Sequence, residues 1–578
     1  MTIRKVFDSS KKTAGKFTVL ALALGCIFFS DLTNIAAKEN LPKQTALDQY
    51  IAKPDASYKW EIVATVPLPG GKAYVVDMVS QTWRTSADVN RTEWQHWLTI
   101  VVPDKLTSET GFLFIGGGGN GGDPPSKPSD ITLQVAQATG TVVAELKMVP
   151  NQPLIFHDDG RKRTEDDLIG YTWDQYLKTG DATWPARNPM VKSAVRAMDT
   201  ITALAKKELE KTVDKFVVAG GSKRGWTTWL TGAVDERVVA IVPIVIDVLN
   251  VKASMLHHHA AYGFWAPAIG DYVAHGITER MDHPRMQELY DLVDPYAYRH
   301  RLKLPKFIVC GSGDQFFLPD SSRFYFDDLQ GEKHLRYVPN ADHGLDDSDA
   351  LESIAAFYWM VVNKKQRPEF TWSFEEDGSI RVKTQQQPDR VLLWQANNPD
   401  ARDFRIESLG PKYVSKQVED QGDGVYVAKL SEPEKGWTAS FVELTYDVGG
   451  PTPLKFTTAV RVLPDTLPYA DKETNKPSTV AITCNVPNEE TALAIEKEAQ
   501  SLFDAPPSAK QVPPWTQGDW PTIKNTLTGR WGKVTHKKLT LKLQWQPQAW
   551  MHDQAKSMTA WLASKGCDNF AYRLKSGL

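Results

Sequence analysis

The sequence predicts an α/β protein built on a mixed, mostly parallel sheet with helices on both faces. Three observations lead there. Between residues 111 and 339, apolar β-branched runs alternate with amphipathic helical stretches, the rhythm of parallel strands joined by crossover helices. Residues 59–102 are β-like without intervening helices, which fits the antiparallel end of a mixed sheet. Finally, Phe216-Val217-Val218-Ala219-Gly220-Gly221-Ser222 runs straight into a helix-forming segment, a strand–turn–helix corner that lifts a serine above a sheet edge.

The elements follow in order. Strands are predicted at 59–67, 72–82 and 93–102, and a short one at 111–115 opens into Gly116-Gly117-Gly118-Gly119-Asn120-Gly121-Gly122. A helix at 131–138, a strand at 141–148 and an amphipathic helix at 190–209 come next. The serine strand is 213–219, followed by strands at 238–245, 306–310 and 334–339. Residues 247–302 interrupt this rhythm with a helical, aromatic-rich insertion, placed over the strand ends where α/β sheets bind ligands. It reads as a lid. Its His257-His258-His259 triplet points three ways on a helix, which favours one buried and two exposed imidazoles over a metal site.

Residues 369–465 carry short β-like runs separated by Asp377-Gly378 and Asp423-Gly424 turns, the spacing of a small β-sandwich. Residues 466–477 read as a linker and 478–578 as a small α+β appendage. At the other end, 1–37 has a basic start, an apolar core over 17–29 and small residues before Lys38. That is the pattern of an export signal, and it implies a periplasmic or secreted protein with no stable membrane span after cleavage. Cys26 leaves a lipid anchor open, and an uncleaved signal would itself anchor the chain. Beyond the signal only Cys310, Cys484 and Cys567 remain, too few for a disulfide scaffold, although the last two could pair. The net charge of −3 over 578 residues gives no basic footprint for nucleic acid.

The serine corner directs a search for its partners. In this fold an acid and then a histidine follow the nucleophile after later strands. Asp314 follows the 306–310 strand and His343 the 334–339 strand; Asp320 and Asp342 compete for the role of acid. Ser222, Asp314 and His343 therefore form the expected triad on an α/β-hydrolase fold. The oxyanion donors are the N–H of Lys223 and that of Gly117 or Gly118 in the glycine loop. That run lacks the pattern of a phosphate cradle. Arg224, Trp226, Trp265 and Tyr262 are candidate substrate contacts, and no metal or organic cofactor is implied. One departure stands out: the G-x-S-x-G elbow expects glycine where Arg224 stands, and Gly225 comes one residue later.

The segment Gly220-Gly221-Ser222-Lys223-Arg224-Gly225-Trp226-Thr227-Thr228-Trp229-Leu230, with Tyr171-Thr172-Trp173-Asp174-Gln175-Tyr176 and Ala341-Asp342-His343-Gly344, resembles the PhoPQ-activated pathogenicity-related proteins over about residues 45–465. The resemblance implies an exported α/β-hydrolase-like protein linked to virulence and antimicrobial-peptide resistance, and it carries Ser222, Asp314 and His343 over as the triad. The serine corner is also similar to that of glucuronoyl esterases, which implies that the Lys223 charge assists the oxyanion site. Against this stands a plainer reading of Lys223 and Arg224 as solvent-facing first-turn residues. The expected activity is a serine hydrolase cleaving a small ester or amide. A peptidase of the same mechanism and a silent secreted binding protein are the alternatives.

Overall fold

The computed structural model describes residues 44–470, 478–504, 527–535, 538–545 and 551–575. The export-signal reading of 1–37, with Cys26, and most of the 466–477 linker lie outside the described residues. One sheet of 14 strands organises the main body. Across it the strands run Lys59–Leu68, Gly71–Thr82, Glu93–Pro103, Val143–Leu146, Thr110–Ile115, Lys215–Gly221, Val238–Ile244, Lys306–Gly311 and Lys333–Val338. The first three are antiparallel and Glu93–Pro103 pairs antiparallel with Val143–Leu146; from there the neighbours are parallel. The Thr110–Ile115 and Val143–Leu146 strands exchange places relative to their order in the chain. With that exchange, and with Lys59–Leu68 and Glu93–Pro103 running opposite to the other strands of the series, this is the α/β-hydrolase fold.

The central strands are apolar on both sides because helices cover both faces. On one face lie Arg187–Leu204 and Lys223–Val234, burying Met190, Ala194, Met198, Trp229 and Leu230. The other face carries Asp130–Thr139 and Ala350–Val362, with Val135, Ala136, Ile354 and Phe357. Each large side chain taken fully out of water contributes about 1.5–3 kcal/mol before the entropy of ordering it is counted.

The β-rich segment 369–465 folds as two sheets. Phe370–Phe374, Ile380–Thr384 and Val425–Ala428 form a separate antiparallel one. The rest extends the main sheet: Leu454–Thr457 pairs with Lys333–Val338 at Leu335↔Thr457, and Trp437–Tyr446, Arg390–Asn398 and Val414–Gln417 continue it. An edge strand exposes unpaired N–H and C=O groups, and here the segment covers that edge.

The described residues between 478 and 575 form strands and helices in the order β-α-β-β-α-β. Their antiparallel sheet runs Leu527–Thr535, Lys538–Trp545, Ser478–Asn485, Asp568–Lys575, with helices Glu489–Asp504 and Met551–Ser564, the split-βαβ arrangement. Cys484 and Cys567 lie buried in it as thiols in hydrogen-bond contact. No helix among the described residues is long and apolar enough to cross a membrane.

Candidate active site

Ser222 stands at the corner between the Lys215–Gly221 strand and the Lys223–Val234 helix, with φ 57° and ψ −124°. A side chain rarely holds that conformation; it costs about 1–3 kcal/mol and persists only where the surroundings dictate it. They do so here. The Ser222 N–H donates to the Ile244 carbonyl at 2.8 Å, and the Trp226 N–H donates to the Ser222 carbonyl at 2.9 Å. The displaced glycine also has a steric explanation. A Cβ on Gly225 would lie 2.8 Å from the Ile244 oxygen and 2.9 Å from the Gly220 oxygen, and one on Gly220 would lie 2.7 Å from the Arg224 oxygen. The tight crossing is between Gly220 and the Arg224-Gly225 backbone, so the second glycine is needed three residues after the serine, and Arg224 is free to carry a side chain.

His343 follows the Lys333–Val338 strand, and its Nδ1 lies 2.7 Å from Asp314 Oδ2. The other carboxylate oxygen of Asp314 accepts the Phe316 N–H at 2.7 Å. The two loops are knitted together: the Gly313 N–H donates to the Ala341 carbonyl and the His343 N–H to Gln315 Oε1. Neither competing acid reaches His343. Asp320 is bound by His257, Arg402 and Arg323; Asp342 accepts the Gly344 N–H. His343 Nε2 is buried with no hydrogen-bond partner among the described residues. Phe316, whose ring lies 4.2 Å from the His343 ring, lines the same cavity as Ser222.

Lys223 and Arg224 are not solvent-facing residues, and this corrects the plainer expectation for them. The ammonium of Lys223 sits 2.8 Å from Glu165 and 3.2 Å from Asp166. Arg224 donates to both carboxylate oxygens of Glu165, at 2.6 and 2.9 Å, and to the Val149 carbonyl. Burial alone would raise Glu165, but the Arg224 hydrogen bonds and the two positive charges outweigh it and hold this carboxyl at about 2. The Lys223 charge is therefore already paired. Gly117 lies beneath the Arg224 guanidinium, where a Cβ would come 2.7 Å from Nη2; Gly118 follows with φ 118°. Because Ile115 pairs with Gly220, this glycine loop leaves the sheet beside the serine corner.

The cavity next to Ser222 has a volume of about 60 Å³. The inserted segment supplies much of its wall through Val251, Met255, Tyr272 and Met281, and Trp226 lines it from the serine helix. Trp265, Tyr262 and Arg224 do not. Trp265 packs with Ile269, Val273 and Met281 inside the insertion, and Tyr262 with Ala261, Ala266 and Leu318, the last of these beyond the Lys306–Gly311 strand. The expectation of two exposed imidazoles is overturned as well, since His257, His258 and His259 are all buried. They face different partners: His257 meets Asp320, His258 accepts the Ala266 N–H, and His259 packs on Trp265.

Sequence reading missed the helix Glu165–Thr179, which brings Glu165, Asp166 and Trp173 to the site. Its one local signal was the acidic run Glu165-Asp166-Asp167, favourable in a first helical turn; nothing in the sequence tied that run to residues 58 positions later. Asp247 was missed too. It is buried, accepting the Tyr325 and Tyr337 hydroxyls at 2.6 and 2.7 Å. Burial raises its carboxyl to about 7; the tyrosine hydrogen bonds oppose this, and the Asp314 and Asp320 charges add to it. The folded state thus keeps a proton that the unfolded chain releases near 3.8. The resulting stability is complete below about pH 4 and is lost as pH rises through about 7. Tm should fall over that window, and Asp247→Asn, which cannot titrate, should flatten the curve measured by thermal denaturation at pH 4 to 8.

A family model described as PhoPQ-activated pathogenicity-related protein matches residues 47–405. Autocrine proliferation repressor protein A of Dictyostelium discoideum is 39% identical over 458 residues, covering 74% of this chain and 92% of that protein. Among solved structures, acetyl xylan esterase 1 from a Thermoanaerobacterium species matches at 14% identity and a TM-score of 0.38, over 55% of this chain and 94% of its own. A glucuronoyl esterase from Solibacter usitatus matches at 13% identity and a TM-score of 0.28, over 50% and 83%. With more than half of its length under the family model and a 39% identical relative covering 74% of it, the chain belongs to the PhoPQ-activated pathogenicity-related protein family.

Proposed function

We propose that the chain is an exported serine hydrolase that cleaves an ester or amide through an acyl-enzyme on Ser222. The observation that carries this reading is the His343 ring. Asp314 holds one nitrogen at 2.7 Å, the other is buried without a partner among the described residues, and the ring packs on Phe316, which lines the same cavity as Ser222. In the proposed reaction Ser222 Oγ adds to the substrate carbonyl carbon while His343 Nε2 takes its proton. Asp314 stabilises the imidazolium, which then protonates the leaving group. Water hydrolyses the acyl-enzyme by the same route in reverse. The Lys223 and Gly117 or Gly118 N–H groups are assigned to the oxyanion. Export and a part in virulence belong to the same proposal, the latter supported by the family's description.

A fluorophosphonate probe tests it: folded wild-type protein should label once, at Ser222, as read by intact mass and peptide mapping. Absence of labelling would favour a second reading, an extracellular signalling protein on a hydrolase fold, which the name of the Dictyostelium relative supports. Rates on small acyl esters against aminoacyl amides separate an esterase from a peptidase.

A further inference from the structure

We propose that the cavity beside Ser222 takes a substrate bearing a carboxylate separate from the bond being cleaved, and that Arg187 holds that carboxylate. The word substrate rests on the hydrolase reading above; the binding claim stands on the cavity alone.

Arg187 lines the cavity together with Ser222, Lys223 and Trp226 and is 1% exposed. Its Nη1 donates to the Lys223 carbonyl at 2.9 Å, which fixes the guanidinium one residue from Ser222. One face stacks on the Trp226 ring, 4.3 Å from its centroid. Nε has no acceptor among the described residues. No ion pair joins Arg187 to a carboxylate among those residues, whereas the cations beside it are matched. Arg224 is spent on Glu165, and Lys223 on Glu165 and Asp166. Asp166, the carboxylate lining this cavity, also accepts the Tyr272 hydroxyl. Three cations thus face two carboxylates, and the unmatched one is the buried arginine.

That imbalance is costly. A guanidinium cannot shed its proton, and an unpaired charge out of water is among the least favourable things a protein can bury. Burial pulls Arg187 below its ordinary value, with a hydrogen bond to the neutral Tyr272 hydroxyl and the Asp166 charge only partly opposing it. The local backbone adds to the excess. Arg187 is the first residue of an 18-residue helix, and its side chain touches the first turn of the 12-residue serine helix, so two positive helix ends meet at the cavity. The remaining wall is mostly apolar (Ile246, Val251 and Phe317 among it). An anion entering there gains a charge-assisted hydrogen bond to a planar donor in surroundings that exclude competing water. A carboxylate on a short apolar chain fits this chemistry; a neutral acyl chain leaves the arginine uncompensated.

The full-length chain can be tested with two esters of equal acyl length, p-nitrophenyl hemiglutarate and p-nitrophenyl pentanoate. Wild type should prefer the anionic ester by about tenfold or more in kcat/KM, and Arg187→Met should bring the ratio to one or below. Arg187→Gln, which can still donate to the Lys223 carbonyl, should do the same and serves if the methionine variant fails to fold. A wild-type ratio of one, or a ratio unmoved in either folded variant, overturns the proposal. A second arm needs no turnover. Ser222→Ala protein is titrated with monomethyl glutarate and with dimethyl glutarate, followed by the fluorescence of Trp173 and Trp226 in the cavity wall. The monoanion should bind about tenfold tighter, and adding Arg187→Met should erase the difference; equal affinities overturn the proposal. Selective monoester binding by a chain that cleaves no ester would sink the hydrolase reading and leave the carboxylate site standing. Ester cleavage without either preference would do the reverse.

Discussion

Ser222→Ala should abolish fluorophosphonate labelling and lower kcat on an activated ester by roughly 10³- to 10⁶-fold. The effect is large because the serine is the only atom group in the proposed scheme that bonds to substrate; without it, only the oxyanion donors and the apolar wall remain. His343→Ala should fall in the same range, and the double variant should be no worse than either single one, since nucleophile and base act as a unit. Additive losses would refute the assignment. So would a His343→Ala enzyme within tenfold of wild type, because a histidine held at 2.7 Å by Asp314 for purely structural reasons would not move kcat that far. Folding is checked by comparing thermal melts.

Arg336→Met is expected to destabilise the protein by about 3–5 kcal/mol, the cost of leaving a buried charge without its partner. Arg336 is 1% exposed on the last parallel strand and pairs with Glu443 at 2.5 Å and Asp349 at 2.6 Å. Glu443, itself buried, belongs to the Trp437–Tyr446 strand of the β-rich segment, and Asp349 precedes the Ala350–Val362 helix, where Lys455 also holds it. One side chain therefore bridges the His343 strand, the helix after it and the added strands. Guanidinium denaturation should show a lower midpoint in a single transition. Adding Glu443→Leu should restore much of the loss, since removing both charges leaves nothing stranded. If the single variant loses under 1 kcal/mol, the bridge is not holding these parts together.

Much of the fold was legible because the sheet is apolar and regular. Residues 72–82 and 238–245 announce themselves as strands through their β-branched runs. Boundaries slipped where tertiary contact decides them: the 190–209 helix begins at Arg187 and ends in a π-turn over Ala205–Leu209. Strand Val414–Gln417, exposed throughout, carries no apolar pattern to read. The 369–465 segment shows a deeper limit. Its strands were visible, but whether they form their own sandwich or extend a neighbour's sheet depends on Leu335↔Thr457 pairing, which no local signal encodes. At the candidate site, Ser222, Asp314 and His343 stood out in the sequence because each follows a strand. Glu165, Arg187 and Asp247 were not, since their importance comes from charges placed together by distant parts of the chain.

The left-handed backbone at Ser222 has an evolutionary reading. At φ 57° and ψ −124° glycine would sit without strain, so Ser222→Gly should stabilise the fold, by about 1 kcal/mol, while removing the hydroxyl. Differential melting of the two purified proteins would measure the gain. A lineage that had given up the chemistry would meet no resistance in drifting to glycine here and would be rewarded in stability for doing so. Serine at this corner is thus held against a thermodynamic slope, and its presence points to a use for the hydroxyl.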